Sequence, residues 1–452
     1  MLLTTEPLRL GGALLLAAGW LGMSVQAWRA HRAGVRRDRP AAPADGDWLV
    51  VYASQTGNAA DLARRSAALL AAGGVAARAL PIGLLDDALL HAATRILFVA
   101  STYGEGDAPD DAARFAARTL AAGADPARLR HLHYAVLALG DSRYAHYCGF
   151  GRLLDAWLAA QGATPLFERI DVDRADPAAL EAWRRHVARL AGTADAPDWE
   201  GPAWGEWRIA GRTLLNPGSA GAPLYLVALA PAAGALPAWE AGDLVQVSAP
   251  GDPDHPREYS VASTPLDGRL ELLVRLQGVA SSWLCTGAQD GDTVRLRVRP
   301  HERFRLADNA HRPVILIGNG SGLAGLRGLV KARIAQGRHD NWLVFGERNA
   351  AHDFLLREEL EGWRDGGWLT RLDVAFSRDG AGSDAAGKRY VQHLLREQAA
   401  DVAAWVRHGA AIYVCGSLQG MAGGVHAALE AILGADVLDA LAGEGRYRRD
   451  VY

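Results

Sequence analysis

The chain has 452 residues, half of them hydrophobic, with a formal net charge of -3 and a pI near 6.5. That length and apolar content supply more than one hydrophobic core, and the lack of a basic surplus excludes nucleic acid as a partner. Three cysteines (Cys148, Cys285 and Cys415) without a Cys-x-x-Cys pair, and 14 scattered histidines, leave neither a disulfide framework nor an iron–sulfur or other metal site.

Residues 10–28 carry no charge, and as a helix they would measure about 28 Å, close to the hydrocarbon thickness of a bilayer. Arg29, Arg32, Arg36, Arg37 and Arg39 follow this run, whereas Glu6 and Arg9 cancel before it. The positive-inside rule then predicts a single-pass inner-membrane anchor with the catalytic domains in the cytoplasm. A cleaved signal peptide is the alternative, since Val25-Gln26-Ala27 has the form of a cleavage site. Residues 1–47 are therefore read as transmembrane anchor and linker.

From residue 48 to 192, short β-rich runs at 48–53, 96–101 and 134–139 alternate with helical spacing. This predicts a doubly wound α/β domain that binds its ligand beyond the carboxyl ends of the strands. After the first run stand Ser54, Gln55, Thr56, Gly57 and Asn58, hydroxyls and amides where a helix begins. Such a helix start favours a phosphate. Without the Gly-Lys-Ser/Thr of a nucleotide-triphosphate loop, this one suits a monophosphate such as that of FMN. A second loop contains Ser101, Thr102, Tyr103, Gly104 and Gly106, and a third Leu139, Gly140, Asp141 and Tyr144. Each offers one aromatic face among glycines, so two rings can sandwich a flavin. The acids Glu105, Asp107, Asp110, Asp111 and Asp141 are either a negative rim for a basic partner or a solvated acidic loop.

Residues 193–205, with Pro197, Gly201 and Pro202, read as a linker. Over 206–311 closely spaced strands at 224–229, 244–248, 270–276 and 294–298 predict an antiparallel β-barrel. Within it Arg257 can pair with a diphosphate, Tyr259 can lie on a flavin ring and Ser260 can bond its reactive edge. Gly278, Val279, Ala280 and Ser281 add backbone donors at a helix start.

Buried runs at 313–317, 342–345, 372–376 and 411–414 return to the parallel α/β pattern over 312–452. Gly318, Gly320, Ser321 and Gly322 sit where a strand hands over to a helix, the place for a pyrophosphate. Ser377, Arg378, Lys388, Tyr390 and Gln392 supply cations, hydroxyls and a ring suited to a 2′-phosphate, favouring NADPH over NADH.

Read together, these loops resemble those of diflavin reductases, a flavodoxin-like module joined to a ferredoxin-NADP reductase-like one, as in sulfite reductase flavoprotein subunits and NADPH-dependent haemoprotein reductases. The run LGDSRYAHYC from Leu139 to Cys148 is similar to their third FMN loop, and Tyr413-Val414-Cys415-Gly416 with the ending Asp450-Val451-Tyr452 is similar to their nicotinamide site. The resemblance implies that Tyr103 and Tyr144 flank FMN, that Ser260, Cys415 and Asp450 line the hydride-transfer point as catalytic residues, and that Tyr452 stacks on FAD. It further implies a flow of electrons from NADPH through FAD and FMN to a one-electron acceptor, a haemoprotein or sulfite-reducing partner. A membrane-linked ferric or ferric-siderophore reductase acting on a small acceptor, and a non-catalytic flavin-binding module, are the alternatives. The chain departs from the family in lacking a connecting insert before Arg257, in Ser417 after Cys415-Gly416, in Asn319 and Gly325 where prolines are usual, and in the wide spacing of Arg378 and Lys388.

Overall fold

The structure is a computed structural model, and it describes residues 47–452 apart from 55–56, 105, 121–122, 124, 143, 194–202, 254 and 381–386. Gln55 and Thr56 of the phosphate loop and most of the expected linker thus lie outside the described residues.

Six strands, β1 (Trp48–Ala53), β2 (Ala77–Pro81), β3 (Arg95–Ser101), β4 (His133–Gly140), β5 (Thr164–Pro165) and β6 (Ile170–Asp173), form a parallel sheet in the order β2-β1-β3-β4-β5, with β6 also on β4. Its strands are apolar on both faces, as burial on both sides requires. One face packs Phe98, Phe150 and Trp157, the other Leu69, Leu137 and Trp183. Helix α1 (Asn58–Ala72) follows β1, α2 (Gly149–Ala160) follows β4, and α3 (Pro177–Ala191) closes the module. The last is fixed at both ends by local chemistry: Asp176 caps the amide of Ala178, proline takes the first turn, and Gly192 turns left-handed at the end. Strand order reverses between β1 and β3, which sets the loops after β1, β3 and β4 side by side.

The barrel comprises β7 (Gly205–Leu214), β8 (Leu224–Pro231), β9 (Leu244–Ser248), β10 (Arg257–Ser260), β11 (Leu270–Arg275) and β12 (Thr293–Arg299), antiparallel in the order β10-β9-β12-β7-β8-β11. A bridge between Val261 and Leu272 closes it. A parallel five-stranded sheet follows, β15-β14-β13-β16-β17, made of β13 (Val314–Asn319), β14 (Asn341–Glu347), β15 (Arg371–Phe376), β16 (Ala411–Gly416) and β17 (Tyr447–Val451), with α4 (Leu323–Ala335) after β13. Barrel residues Leu224, Leu273, Phe304 and Leu306 share one core with Leu316, Leu326 and Tyr413 of the last sheet. That shared core fixes the two modules against each other.

The architecture of the described residues is therefore multidomain without a transmembrane element, and this corrects the expected fold class. Among the described residues no helix is long and apolar enough to cross a membrane. The longest, α1 and α3, have 15 residues each, where a span needs about 20 apolar ones. The expected transmembrane segment at 10–28 lies outside the described residues, and the membrane anchorage and inner-membrane localisation drawn from it are withdrawn.

Candidate functional site

The loops of the first module meet as the strand order dictates. The amide of Thr102 donates to the carbonyl of Leu139 at 2.9 Å, joining the loop after β3 to the end of β4. Tyr103 and Asp107 exchange two backbone hydrogen bonds around Gly104 and Gly106. At Gly106 (φ 135°) a side chain would meet His146 at 2.6 Å, so glycine is what lets the second loop rest on the third. Ser101, Gly140 and Asp141 are partly buried at the same strand ends. In the loop after β1, the Ser54 amide donates to the carboxylate of Asp111 at 3.1 Å, and Gly57 donates to Ser54 Oγ at 3.0 Å. The loop start thus already holds an anionic oxygen, that of a side chain. Asn58 opens α1.

Asp111 is held from the other side by Arg303 of the segment after the barrel, at 2.5 Å. Burial pushes its carboxyl above the usual range, against the pull of that guanidinium. Beside it, Arg449 of β17 forms an ion pair with Asp110, with Nε to Oδ2 at 2.7 Å. Tyr103 packs against the core of the last sheet together with Leu418, and its hydroxyl is buried without a partner. The acidic loop therefore meets this chain's own arginines.

In the barrel, Arg257 lies 3.5 Å from Asp252 and Tyr259 packs on the barrel core. Ser281 Oγ accepts the amides of Gln277 and Gly278, each at 2.9 Å, while Val279 stands exposed and Ala280 is buried. Ser260, at the end of β10, reaches across to the last sheet.

There the register of β13, β16 and β17 aligns Gly318 with Cys415 and Cys415 with Asp450. Ser260 Oγ donates to Asp450 Oδ2 at 2.8 Å, and Cys415 Sγ approaches the same oxygen at 3.6 Å. All three are buried. Burial, and then the charge of Asp450, push the Cys415 thiol well above its ordinary value, so it stays protonated. Gly322 lies against the Cys415 carbonyl, and the Tyr452 hydroxyl donates to Ser321 Oγ at 3.1 Å.

A cavity of about 1110 Å³ opens beside this cluster. Tyr103, Gly104 and Tyr144 of the first module line it, with Gly320, Ser321, Ser377, Tyr390, Gln392 and Tyr452 of the last. Arg378 is exposed and Lys388 half-buried, both off the lining, as are Arg257, Tyr259 and the Gly278–Ser281 turn. The sequence reading missed four charged residues that do line it: Arg275, Glu347, Arg348 and Arg389. A signal existed for two of them, since Glu347 ends a buried strand and Arg348 follows it, where ligands of parallel sheets bind. The two departures Asn319 and Ser417 prove to be partners: the Ser417 amide donates to Asn319 Oδ1 at 2.9 Å.

Residues 50–186 match the flavodoxin family and residues 316–427 the oxidoreductase NAD-binding domain. The chain pairs a flavodoxin domain with an oxidoreductase NAD-binding domain, as a diflavin reductase does. Its flavodoxin and NAD-binding domains extend into full-length likeness to curated proteins. The sulfite reductase [NADPH] flavoprotein alpha-component of Shewanella sp. (strain ANA-3) is 29% identical, over 91% of this chain and 90% of that one. Its namesake in Neisseria meningitidis serogroup B is 29% identical over 96% and 95%, and that of Vibrio vulnificus 28% over 91% and 88%. The Shewanella alignment runs over 555 residues, more than the 452 present here, so that relative carries segments without a counterpart. This agrees with the short connection from β9 to β10.

Proposed function

We propose that the chain is an NADPH-dependent flavoprotein reductase that takes hydride from NADPH and passes electrons through FAD and FMN to a one-electron acceptor. The observation that carries the reading is the cavity that the flavodoxin tyrosines, the pyrophosphate loop and Tyr452 line together, with the buried Ser260–Cys415–Asp450 cluster off its lining at the neighbouring strand ends. The donor set fits the groups: hydroxyls of Thr102 and Tyr103 lie buried without partners at the flavodoxin loops, and Gln392 Oε1 likewise beside the nucleotide loop. When bound, the flavins supply the conversion of a two-electron hydride into single electrons.

On this reading Ser54, Gly57 and Asn58 hold the FMN phosphate and Tyr103 and Tyr144 its ring. Arg257, Tyr259 and the Gly278–Ser281 turn hold FAD, with Tyr452 over its ring. Gly318, Gly320 and Gly322 take the pyrophosphate, and Ser377, Arg378, Lys388, Tyr390 and Gln392 the 2′-phosphate. Asp450 does electrostatic work. A buried carboxylate favours a neighbour that gains positive charge, as a nicotinamide does on releasing hydride. Ser260 and Cys415 both point hydrogen at one oxygen of that carboxylate and so fix its orientation.

The electron acceptor is a redox partner. The relatives are named as components of sulfite reductase, which supports a haemoprotein or sulfite-reducing partner. The test is NADPH-driven reduction of cytochrome c by the purified chain loaded with FMN and FAD. Turnover that needs both flavins supports the reading; a chain that binds flavin but never oxidises NADPH removes it.

A further inference from the structure

The segment from Pro300 to Arg303 leaves the barrel after β12 and lies on the start of the first flavodoxin helix. Gly57, which precedes α1 in the left-handed region (φ 90°), packs there: a Cβ built on it would stand 3.6 Å from the Pro300 carbonyl oxygen. Further along α1, Arg64 reaches Glu302 at 3.3 Å. Arg303 Nη1 donates to Asp111 Oδ2 at 2.5 Å, and the same oxygen accepts the Ser54 amide at 3.1 Å. Ser54 is buried and the Asp111 side chain is 8% exposed, whereas that of Arg303 is 38% exposed. Among the described residues Arg303 engages the protein through Nη1 alone.

The loop from Ser54 to Asn58 holds no lysine or arginine, so it offers a phosphate only amides and hydroxyls. The charge standing on it is the carboxylate of Asp111, which would repel that phosphate. Arg303 reverses the sign, because a planar guanidinium can hold a carboxylate on one edge and present its remaining N–H groups to a second anion. We propose that Arg303 is the cation of the FMN phosphate site, lent across the domain boundary by the segment after the barrel and aimed by Asp111. This rests on the flavin reading of the chain and adds to it a charge that the phosphate loop lacks. FMN retention is then coupled to docking of the flavodoxin domain, and the coupling is reciprocal: what docking adds to the affinity for the phosphate, the phosphate adds to docking. Riboflavin, with the same ring and no phosphate, stands outside it.

The test is fluorescence titration, at low salt, of the full chain with FAD in place and FMN removed, using FMN and riboflavin in turn. Arg303→Ala should weaken FMN roughly tenfold, the low end for a charge-assisted hydrogen bond because the arginine is partly exposed, and leave riboflavin unchanged. Asp111→Asn lifts the charge while keeping an acceptor for the Ser54 amide. FMN should therefore bind R303A/D111N roughly tenfold more weakly than D111N alone. If those two variants bind FMN equally, Arg303 only neutralises Asp111 and the proposal is overturned. Equal weakening of FMN and riboflavin by R303A overturns it as well, since the arginine would then support the fold and not the phosphate. A parent chain that binds neither compound instead defeats the flavin reading itself.

Discussion

Cys415 illustrates how much a residue's surroundings decide its chemistry. A thiol at the end of a parallel strand is ordinarily a small buried hydrophobe, but this one shares a carboxylate oxygen with Ser260. With no atom added or lost elsewhere, Cys415→Ala should slow flavin reduction by NADPH in stopped flow by about tenfold or more while flavin content stays constant. Reduction at the parental rate would assign the thiol to packing alone. All three thiols are buried, and burial raises each of them, Cys148 to about 11 and Cys285 to about 12. The sign follows. The unfolded chain ionises its thiols first, near their ordinary value of about 8.5, so it loses protons that the folded chain keeps. Stability should therefore be indifferent to these groups at neutral pH and fall as pH rises beyond about 9, as urea melts at stepped pH will register. Native protein at pH 8 should correspondingly react with a thiol reagent only after denaturant is added.

At the scale of elements, the close approach of α4 to β16 is built on glycine. A Cβ at Gly322 would fall 2.1 Å from the Cys415 carbonyl, so Gly322→Ala must push the helix start off the strand. We expect about 1–3 kcal/mol of lost stability, the usual range for overpacking, measured by chemical denaturation, with a raised KM for NADPH. The buried runs that become β1, β3, β4, β13, β14 and β16 were legible because parallel strands covered on both faces read as unbroken apolar stretches. Strands β2 and β17 were not: their sequences, ARALP and YRRDV, hold arginines and few β-branched residues, and only pairing to β1 and β16 makes them strands. Likewise the sequence placed Ser260, Cys415 and Asp450 at one point through family likeness, and the register supplies the physical cause. What no local pattern could reveal was pairing at a distance. Asp111 with Arg303, Asp110 with Arg449 and Arg275 with Glu347 each join separate folded units, so two of the five acids expected at a partner's rim or a solvated face, Asp110 and Asp111, serve internal contacts.

For the whole molecule, the Asp111–Arg303 and Asp110–Arg449 contacts seat the flavodoxin domain on the other two. Arg64–Glu302 and Arg114–Asp439 are largely exposed and contribute about 0–1 kcal/mol each. The Asp110–Arg449 and Asp111–Arg303 pairs are better buried and lose more when one partner is removed. Arg449 also directly precedes Asp450 on β17, so the docking contact and the carboxylate of the hydride site share one strand. Arg449→Ala should enlarge the radius of gyration in small-angle scattering and slow electron passage between the flavins, while leaving hydride transfer to FAD near its parental rate. An unchanged scattering profile would mean that the packing of Tyr103 on the core of the last sheet suffices to seat the domain.

On the proposed reading, two flavins on separate domains are reduced by one nucleotide. Anaerobic titration with NADPH of the chain reconstituted with FMN and FAD addresses it most directly. We expect the two flavins to be retained in equal amounts and both to be bleached by NADPH; retention of only one flavin, or an absorbance that NADPH leaves untouched, would contradict it.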